Sequence, residues 1–152
     1  MSASATWDSD SADPAGDIID AIGQIFSKSN ILESEIKRMV VVVPAKVWAP
    51  LHKLQEINNL RQSIRDYLED SYGLKFYPSR ILSTDALVLV PGEMTAIHGV
   101  LRTNKIPLVE EIRRPETGVT EYIIRQYFAT RVVPETSDGK SYRIAKITGV
   151  AS

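Results

Sequence analysis

The sequence predicts an α+β fold, in which about three helices flank a central sheet that continues into a long antiparallel β extension. Helical and extended patterns follow the order helix, strand, helix, helix, strand, and do not alternate regularly as in βαβ units. The second half of the chain is extended almost throughout, with long alternating segments at residues 121–133 and 141–150. At 152 residues, the chain is long enough to form one domain with its own hydrophobic core.

The N-terminal region is expected to hold a short tail and a first helix. Residues 1–12 are rich in Ser, Ala and Asp and predict a flexible tail, followed by a single domain over residues 13–152. Trp7 is the exception in this tail, because it either dangles in solvent or anchors the segment in a hydrophobic pocket. Asp13 and Pro14 suit the N-cap and the first position of a helix, and apolar residues recur at helical spacing up to about Lys28.

A buried strand and two helices are expected next. The run Val40–Val43, closed by a proline, predicts a strand that is buried on both faces. Helices are predicted from about Pro44 to Leu54 and from about Leu60 to Tyr72, and the polar residues 55–59 interrupt the helical pattern between them. Gly73 suits the position just after the end of the later helix.

The rest of the chain is expected to be β-structure. A short strand is predicted at Lys75–Tyr77, and a buried strand at Ala86–Val90. The segments Pro115–Gly118 and Pro134–Gly139 have the composition of turns, so strands are predicted on either side of each. A final strand is predicted within Ser141–Val150.

No pattern in the sequence predicts catalysis, a metal site or a cofactor. The absence of cysteine excludes disulfides and thiolate ligands, and the glycine-rich loops that cradle phosphates are missing. Neither His52 nor His98 has a partner at metal-ligand spacing, so both are interpreted as surface or interface residues. The chain is therefore predicted not to be an enzyme.

The charged residues of the second half are expected to make protein contacts. Neighbours in a strand point to opposite faces, so Glu110 and Glu111 cannot act on one substrate, and cross-strand ion pairs with nearby arginines are expected. Arginines and tyrosines also interleave along the predicted strands, as they do on base-stacking platforms and at protein interfaces. These residues are Arg113, Arg114, Arg125, Arg131, Arg143, Tyr122, Tyr127 and Tyr142.

The distribution of charge favours the protein interface over nucleic acid. The formal net charge is −1, but residues 1–20 carry five aspartates and no Lys or Arg. Without them, 18 basic residues face 14 acidic ones, a balance of +4 that is spread along the chain, so no specific nucleic-acid site is predicted. The longest apolar run, residues 39–43, is too short to cross a bilayer, and no signal peptide is evident. A cytoplasmic location without a membrane partner is therefore expected.

Several short segments resemble those of a known family. Thr6–Asp8 with Asp13-Pro14 resembles the entry to the axial domain of tailed-phage major capsid proteins. The strand Val40–Pro44 with the following Val47-Trp48 resembles the strand and helix that come next in that domain. Later segments are similar to strands of encapsulins, which are the cellular relatives of these capsids. They are Arg80–Val90, Pro107–Glu110, Glu121–Val133, which contains the run Phe128-Ala-Thr-Arg-Val132, and Ile147–Gly149.

The resemblance implies a capsid-type axial domain that lacks the N-terminal arm, extended loop and spine helix of full-length relatives, as in truncated encapsulins. It implies a structural subunit that associates with copies of itself in a ring or shell, accepts a cargo protein, and lies in the cytoplasm or in a virion. In encapsulins the tip between the two helices lines the axial pore. The matching residues here are Glu56, Asn58 and Asn59, in a polar segment of the kind that usually lies at the surface.

Two alternatives remain open at the level of sequence. The first is that the chain resembles a fragment of a viral major capsid protein, which needs further segments to close a shell, and not a complete subunit. A small enzyme or ligand-binding domain at a subunit interface belongs to another functional class, and a pocket with a perturbed carboxylate or histidine would favour it.

Overall fold

The computed structural model describes residues 1–57, 60–100, 108–114, 116–125, 128–136 and 140–152. Four helices lie in these residues: α1 (Pro14–Lys28), α2 (Glu33–Ile36), α3 (Trp48–Leu51) and α4 (Ile64–Tyr72). The strands are β1 (Val40–Pro44), β2 (Leu54–Ile57), β3 (Leu60–Ser63), β4 (Lys75–Ser79), β5 (Ala86–Leu89), β6 (Ala96–Val100), β7 (Leu108–Arg114), β8 (Val119–Arg125), β9 (Phe128–Val132) and β10 (Ile144–Ile147). These elements confirm the predicted α+β class, although two of the helices, α2 and α3, are only one turn long.

A four-stranded sheet with the order β10-β5-β1-β4 forms the centre of the molecule. β1 is parallel to β4 and antiparallel to β5, and β5 is antiparallel to β10. The strand predicted from the valine run is confirmed, and Val41 and Val43 are fully buried. Val40 and Val42 are only half-buried, because their face of the sheet is incompletely covered, so the expectation of burial on both faces is corrected.

Helix α1 packs against β10 and β5, as its apolar stripe predicts. The Asp13 side chain accepts a hydrogen bond from the backbone N–H of Gly16 at 2.9 Å, and Pro14 occupies the first turn. Ile18, Ile22 and Ile25 are buried, so this face contributes directly to the hydrophobic core. The helix ends at Lys28, where the sequence places its boundary.

The N-terminal segment, expected to be a flexible tail, is hydrogen-bonded to the end of the chain. The N-terminal ammonium donates to the Lys146 carbonyl at 3.0 Å, and Ser2 forms a parallel bridge with Thr148. Trp7 is 3% exposed, and its indole Nε1 donates to Oδ2 of Asp17 at 2.9 Å. The anchor alternative for Trp7 is therefore the one observed. The polar composition of the segment did not predict this attachment, because the attachment depends on backbone groups beside β10, more than 130 residues away in the sequence.

The predicted helix from Pro44 to Leu54 is wrong in its extent. A 3₁₀ turn at Ala45–Val47 leads into α3, which ends at Leu51, and the chain then turns into strand β2. β2 pairs with β3 in an antiparallel hairpin, with Leu54 opposite Ser63 and Ile57 opposite Leu60. The cross-strand ladder supplies these residues with backbone hydrogen bonds, so tertiary pairing prevails over their helical spacing.

Helix α4 consequently begins at Ile64 and not at Leu60. Ser63 is its N-cap, and the Ser63 hydroxyl accepts a hydrogen bond from the backbone N–H of Asp66 at 3.0 Å. Gly73 ends the helix with φ of 69°, as predicted for the residue after a helix terminus. Ile64 and Leu68 bury the inner face of the helix.

The β extension consists of two ladders nested in the sequence. β6 pairs with β9, and β7 pairs with β8, both antiparallel. The single long strand expected over Glu121–Val133 is therefore two strands with different partners, and residues 126–127 between them lie outside the described residues. The turn after β7 is confirmed, with Gly118 at φ of 65°. Together these ladders form the predicted antiparallel extension.

Candidate assembly surfaces

One of the residues predicted to line an axial pore lies in the ladder between β2 and β3. Glu56 is in β2, in register with Arg61 of β3. Asn58 and Asn59 follow in the sequence and lie outside the described residues. Residues 54–57 therefore pair as a strand with residues 60–63, and these two segments are not the helix ends that the sequence predicts. The position of these residues relative to a symmetry axis stays a prediction.

An aromatic and cationic cluster lies where this hairpin joins the domain. The rings of Trp48 and His52 meet edge to face with centroids 5.0 Å apart, and the Arg65 guanidinium lies 5.2 Å from the centroid of Trp48. Nε of Arg65 also donates to Glu69 Oε1 at 2.7 Å. His52 is exposed, in agreement with its interpretation from sequence as a surface residue, and its ring packs against Trp48. His98 is in β6, opposite Thr130.

An open pocket of about 500 Å³ separates the N-terminal segment from α3. Its walls include Asp8, Asp10, His52 and Lys53. Asp10 and Lys53 form an ion pair at 3.6 Å, but both side chains are largely exposed, so the pair contributes little stability. The pocket lacks a nucleophile paired with a base, and the residues that the structure describes contain no group of acidic or histidine ligands suited to a metal ion.

The outermost ladder of the extension exposes an apolar face. Tyr122 and Ile124 alternate along β8 on the same side and are 64% and 67% exposed. Glu111 and Arg113 of β7 are in register with Tyr122 and Thr120, so they share that face. A hydrogen-bonded ion pair of 2.5 Å joins Arg113 Nε to Glu111 Oε1. This pair runs along one strand and not across the ladder, because residues two apart lie side by side on the same face.

Arg143, expected among the surface arginines, is instead 8% exposed at the base of the extension. Its Nε donates to Glu135 Oε1 at 3.1 Å, its Nη1 to Glu35 Oε1 at 3.3 Å, and its Nη2 to the Asn30 carbonyl at 3.3 Å. Sequence reasoning missed this set, which we name the Arg143 cluster, because its members come from distant parts of the chain. Arg143 is therefore a structural residue and not part of a stacking platform.

The electrostatics of the Arg143 cluster keep its two carboxylates ionised. Burial opposes ionisation of Glu135, but hydrogen bonds from the Ser29 hydroxyl at 2.6 Å, the Tyr142 N–H at 2.7 Å and Arg143 together lower its pKa. The pKa of Glu35 is lowered first by the hydrogen bond from the Leu32 N–H, with a further contribution from Arg143 that works against burial. Neither carboxyl group has the raised pKa that a proton donor would need. The charges of the cluster therefore serve to connect parts of the fold.

No helix in the described ranges is both long enough and apolar enough to span a bilayer.

Comparison with known proteins identifies the fold. No protein-family model and no curated protein matches the sequence. Among solved structures, the chain is similar to a virus-like particle from Pyrococcus furiosus, with a TM-score of 0.66 and 13% sequence identity. The match covers 97% of this chain and 54% of that chain, so this chain spans about half the length of its structural neighbour. The α+β architecture described above is thus a capsid-type fold.

Proposed function

We propose that this chain is a non-enzymatic structural protein that assembles with copies of itself into a ring or shell. It would act as a capsid-like or encapsulin-nanocompartment-like subunit of the truncated axial-domain type. The observation that carries this proposal is the similarity in fold to a virus-like particle over 97% of the chain. The proposed location is the cytoplasm, or the virion if the protein is viral.

The exposed face of the extension supports self-association. A two-stranded ribbon is marginally stable by itself in water and usually needs a further packed layer. β7 and β8 form such a ribbon, and its outer face presents the exposed Tyr122 and Ile124. Aromatic and aliphatic side chains in this setting are typical of protein interfaces. Packing of a neighbouring copy against this face would bury them.

The β2–β3 hairpin is proposed to lie nearest the symmetry axis. The polar tip of the hairpin would then place Glu56, Asn58 and Asn59 in rings around the axial opening. A ring of Glu56 carboxylates would repel itself only weakly at physiological salt, because exposed charges are screened over about 8 Å. The opening would thus carry negative charge without preventing assembly. A cargo protein remains the proposed second partner, and no cofactor is required.

The mass of the protein in solution tests the proposal. Light scattering and negative-stain electron microscopy, at increasing protein concentration, should show a homo-oligomer with rotational symmetry. A monomeric mass throughout the concentration series would contradict the proposal. Small rings without closed shells would favour the alternative of a capsid fragment that needs further segments to close.

A further inference from the structure

A cleft with concentrated positive charge opens at the N-terminal ends of the parallel strands β1 and β4. It has a volume of about 300 Å³. Its walls are formed by Lys37, Arg38, Val40, Lys75, Tyr77 and Pro91. We name this site the basic cleft. Its three cationic residues are exposed, and the ring of Tyr77 is 52% exposed between them and solvent.

The cations of the basic cleft are available to an external anion. Within the described part of the chain, none of the three takes part in an ion pair. Glu35, three residues before Arg38, is paired with Arg143 at 3.3 Å, and the charge of Arg38 acts on Glu35 only as a weaker, longer-range attraction. A carboxylate brought into the cleft could therefore accept charge-assisted hydrogen bonds, including a bidentate pair from Arg38.

The opposite end of the same strands carries negative charge. We name residues 8–13 the acidic segment, because Asp8, Asp10 and Asp13 are all exposed there. The segment faces Ala49 and Pro50, which follow the C-terminal end of β1, across the open pocket described above, where Asp10 is paired with Lys53 at 3.6 Å. It is held in place by the buried Trp7 and by the hydrogen bond from the Trp7 N–H to the Val150 carbonyl at 2.9 Å.

The geometry separates the two charged surfaces within one copy. β1 has five residues, so the strand alone sets the basic cleft and the acidic segment about 13 Å apart along its axis. Because this distance keeps the two surfaces from meeting within one copy, the acidic segment of one copy can reach a basic cleft only on another copy. Such a head-to-tail contact uses two different surfaces, and repeated copies close into a ring when the rotation between them permits.

We propose that the basic cleft of one copy binds the acidic segment of the next, so that copies associate head to tail. The carboxylate of Asp8 would enter the cleft beside the exposed ring of Tyr77. Asp10 would follow it and exchange its ion pair with Lys53, which is weak because both side chains are largely exposed, for the cations of the cleft. This inference rests on the proposed function, since it specifies how self-association occurs. It specifies which two surfaces meet, that they meet head to tail, and that opposite charges join them.

Charge-reversed variants test the pairing. The cleft variant combines Arg38→Glu and Lys75→Glu, and the segment variant combines Asp8→Lys and Asp10→Lys. In each variant alone, like charges would meet at every contact, so the concentration for half-assembly should rise at least about tenfold. A chain that carries all four substitutions should regain assembly whatever the number of copies in the ring, because every contact then joins a reversed cleft to a reversed segment.

Matched controls separate this effect from a change in net charge or folding. Arg80→Glu and Glu93→Lys make the same kinds of charge change at exposed positions outside both surfaces and should assemble like the parent. The neutral variant Arg38→Gln with Lys75→Gln should show a smaller loss than the charge reversal. Circular dichroism checks that each variant is folded, and the neutral pair provides the test if the reversed cleft variant does not fold.

The outcomes distinguish the two proposals. A parent protein that stays monomeric contradicts the proposed function. If the parent assembles, the head-to-tail inference is overturned when the two folded variants assemble equally well. The inference also fails when both variants are impaired and the folded chain with all four substitutions is equally impaired. It is also overturned if the cleft variant loses binding of a single-stranded oligonucleotide while its assembly is unchanged, since the cleft would then serve nucleic acid. Impairment of the cleft variant and the segment variant, with assembly restored in the chain that carries all four substitutions, supports it.

Discussion

At the residue scale, the Arg143 cluster joins the β extension to the helical side of the domain. Arg143 and Glu135 lie at the return from the extension, and Glu35 lies in α2. The side chains of Arg143 and Glu135 are 9% and 14% exposed, so their ion pair is only weakly screened by solvent. The Ser29 hydroxyl donates to the same Glu135 oxygen and ties the end of α1 to the cluster.

The substitution Glu135→Gln is expected to lower the free energy of unfolding at pH 7 by about 1–3 kcal/mol, because the buried Arg143 then keeps only Glu35, at 3.3 Å, as a charged partner. The folded-state pKa of Glu135 is below its ordinary value of 4.5. The stabilisation from its carboxylate is therefore present above that value and is lost as pH falls through the lower folded-state pKa. Urea unfolding between about pH 5 and pH 3 should thus show a shallower loss of stability for the variant than for the parent.

A matched exposed carboxyl provides the control for this experiment. Glu93→Gln should change the free energy of unfolding by less than about 0.5 kcal/mol. Equal pH dependence of the parent and Glu135→Gln would show that the Arg143 cluster does not determine acid stability.

Trp7 is the second residue whose role can be measured directly. Trp7→Ala is expected to lower the free energy of unfolding by about 3–5 kcal/mol, because it empties a buried aromatic site. Trp7→Phe keeps most of the burial but removes the indole donor to Asp17, so it should cost about 1–2 kcal/mol. Denaturant titration measures both values. A cost below about 1 kcal/mol for Trp7→Ala would instead support the flexible tail that composition predicts.

At the scale of elements, the exposed face of β8 is expected to serve association more than folding. The double substitution Tyr122→Ser and Ile124→Ser should weaken self-association at least about tenfold, because about two large interface side chains are lost. The unfolding midpoint of the dissociated protein should change little. Sedimentation velocity measures the first effect and thermal unfolding at low concentration the second. Ile81→Ser is the control, since Ile81 is 94% exposed outside the extension.

The β2–β3 hairpin provides the second prediction at this scale. Glu56→Lys should reverse the charge of the proposed axial opening and leave the fold intact. Because position 56 is opposite Arg61, the substitution places like charges across the ladder at a cost of about 0.2–1 kcal/mol. Electron cryo-microscopy of the assembled protein should place residue 56 close to the symmetry axis. Density that places it on the outer rim would make the proposed orientation wrong.

At the scale of the whole molecule, the proposed structural role predicts that neither histidine serves catalysis. The double variant His52→Ala and His98→Ala should assemble like the parent. Removal of the His52 ring contact with Trp48 should cost at most about 1.5 kcal/mol. Light scattering measures assembly, and a panel of substrates measures turnover. Any turnover present in the parent and lost in the variant would contradict a purely structural function.

The elements predicted correctly have signals contained within a few consecutive residues. Asp13 and Pro14 mark the start of α1, the valine run marks β1, and Gly73 marks the end of α4. Each signal reflects a local requirement: a side-chain acceptor for a free N–H, β-branched packing, or a positive φ. For the same reason the α+β class and the antiparallel extension could be predicted from sequence. The capsid-type fold that the sequence resembles agrees with the structural comparison.

The sequence by itself thus determined the fold class, the first helix, the strands of the central sheet and the absence of a recognisable catalytic motif. Only the tertiary structure decided that residues 54–57 pair as a strand, that Trp7 is buried, and that Arg143 is enclosed by carboxylates. The physical reason is that these features are stabilised by groups from distant parts of the chain or across a ladder. Local propensity differs by less than about 1 kcal/mol per residue, so such pairing and burial override it.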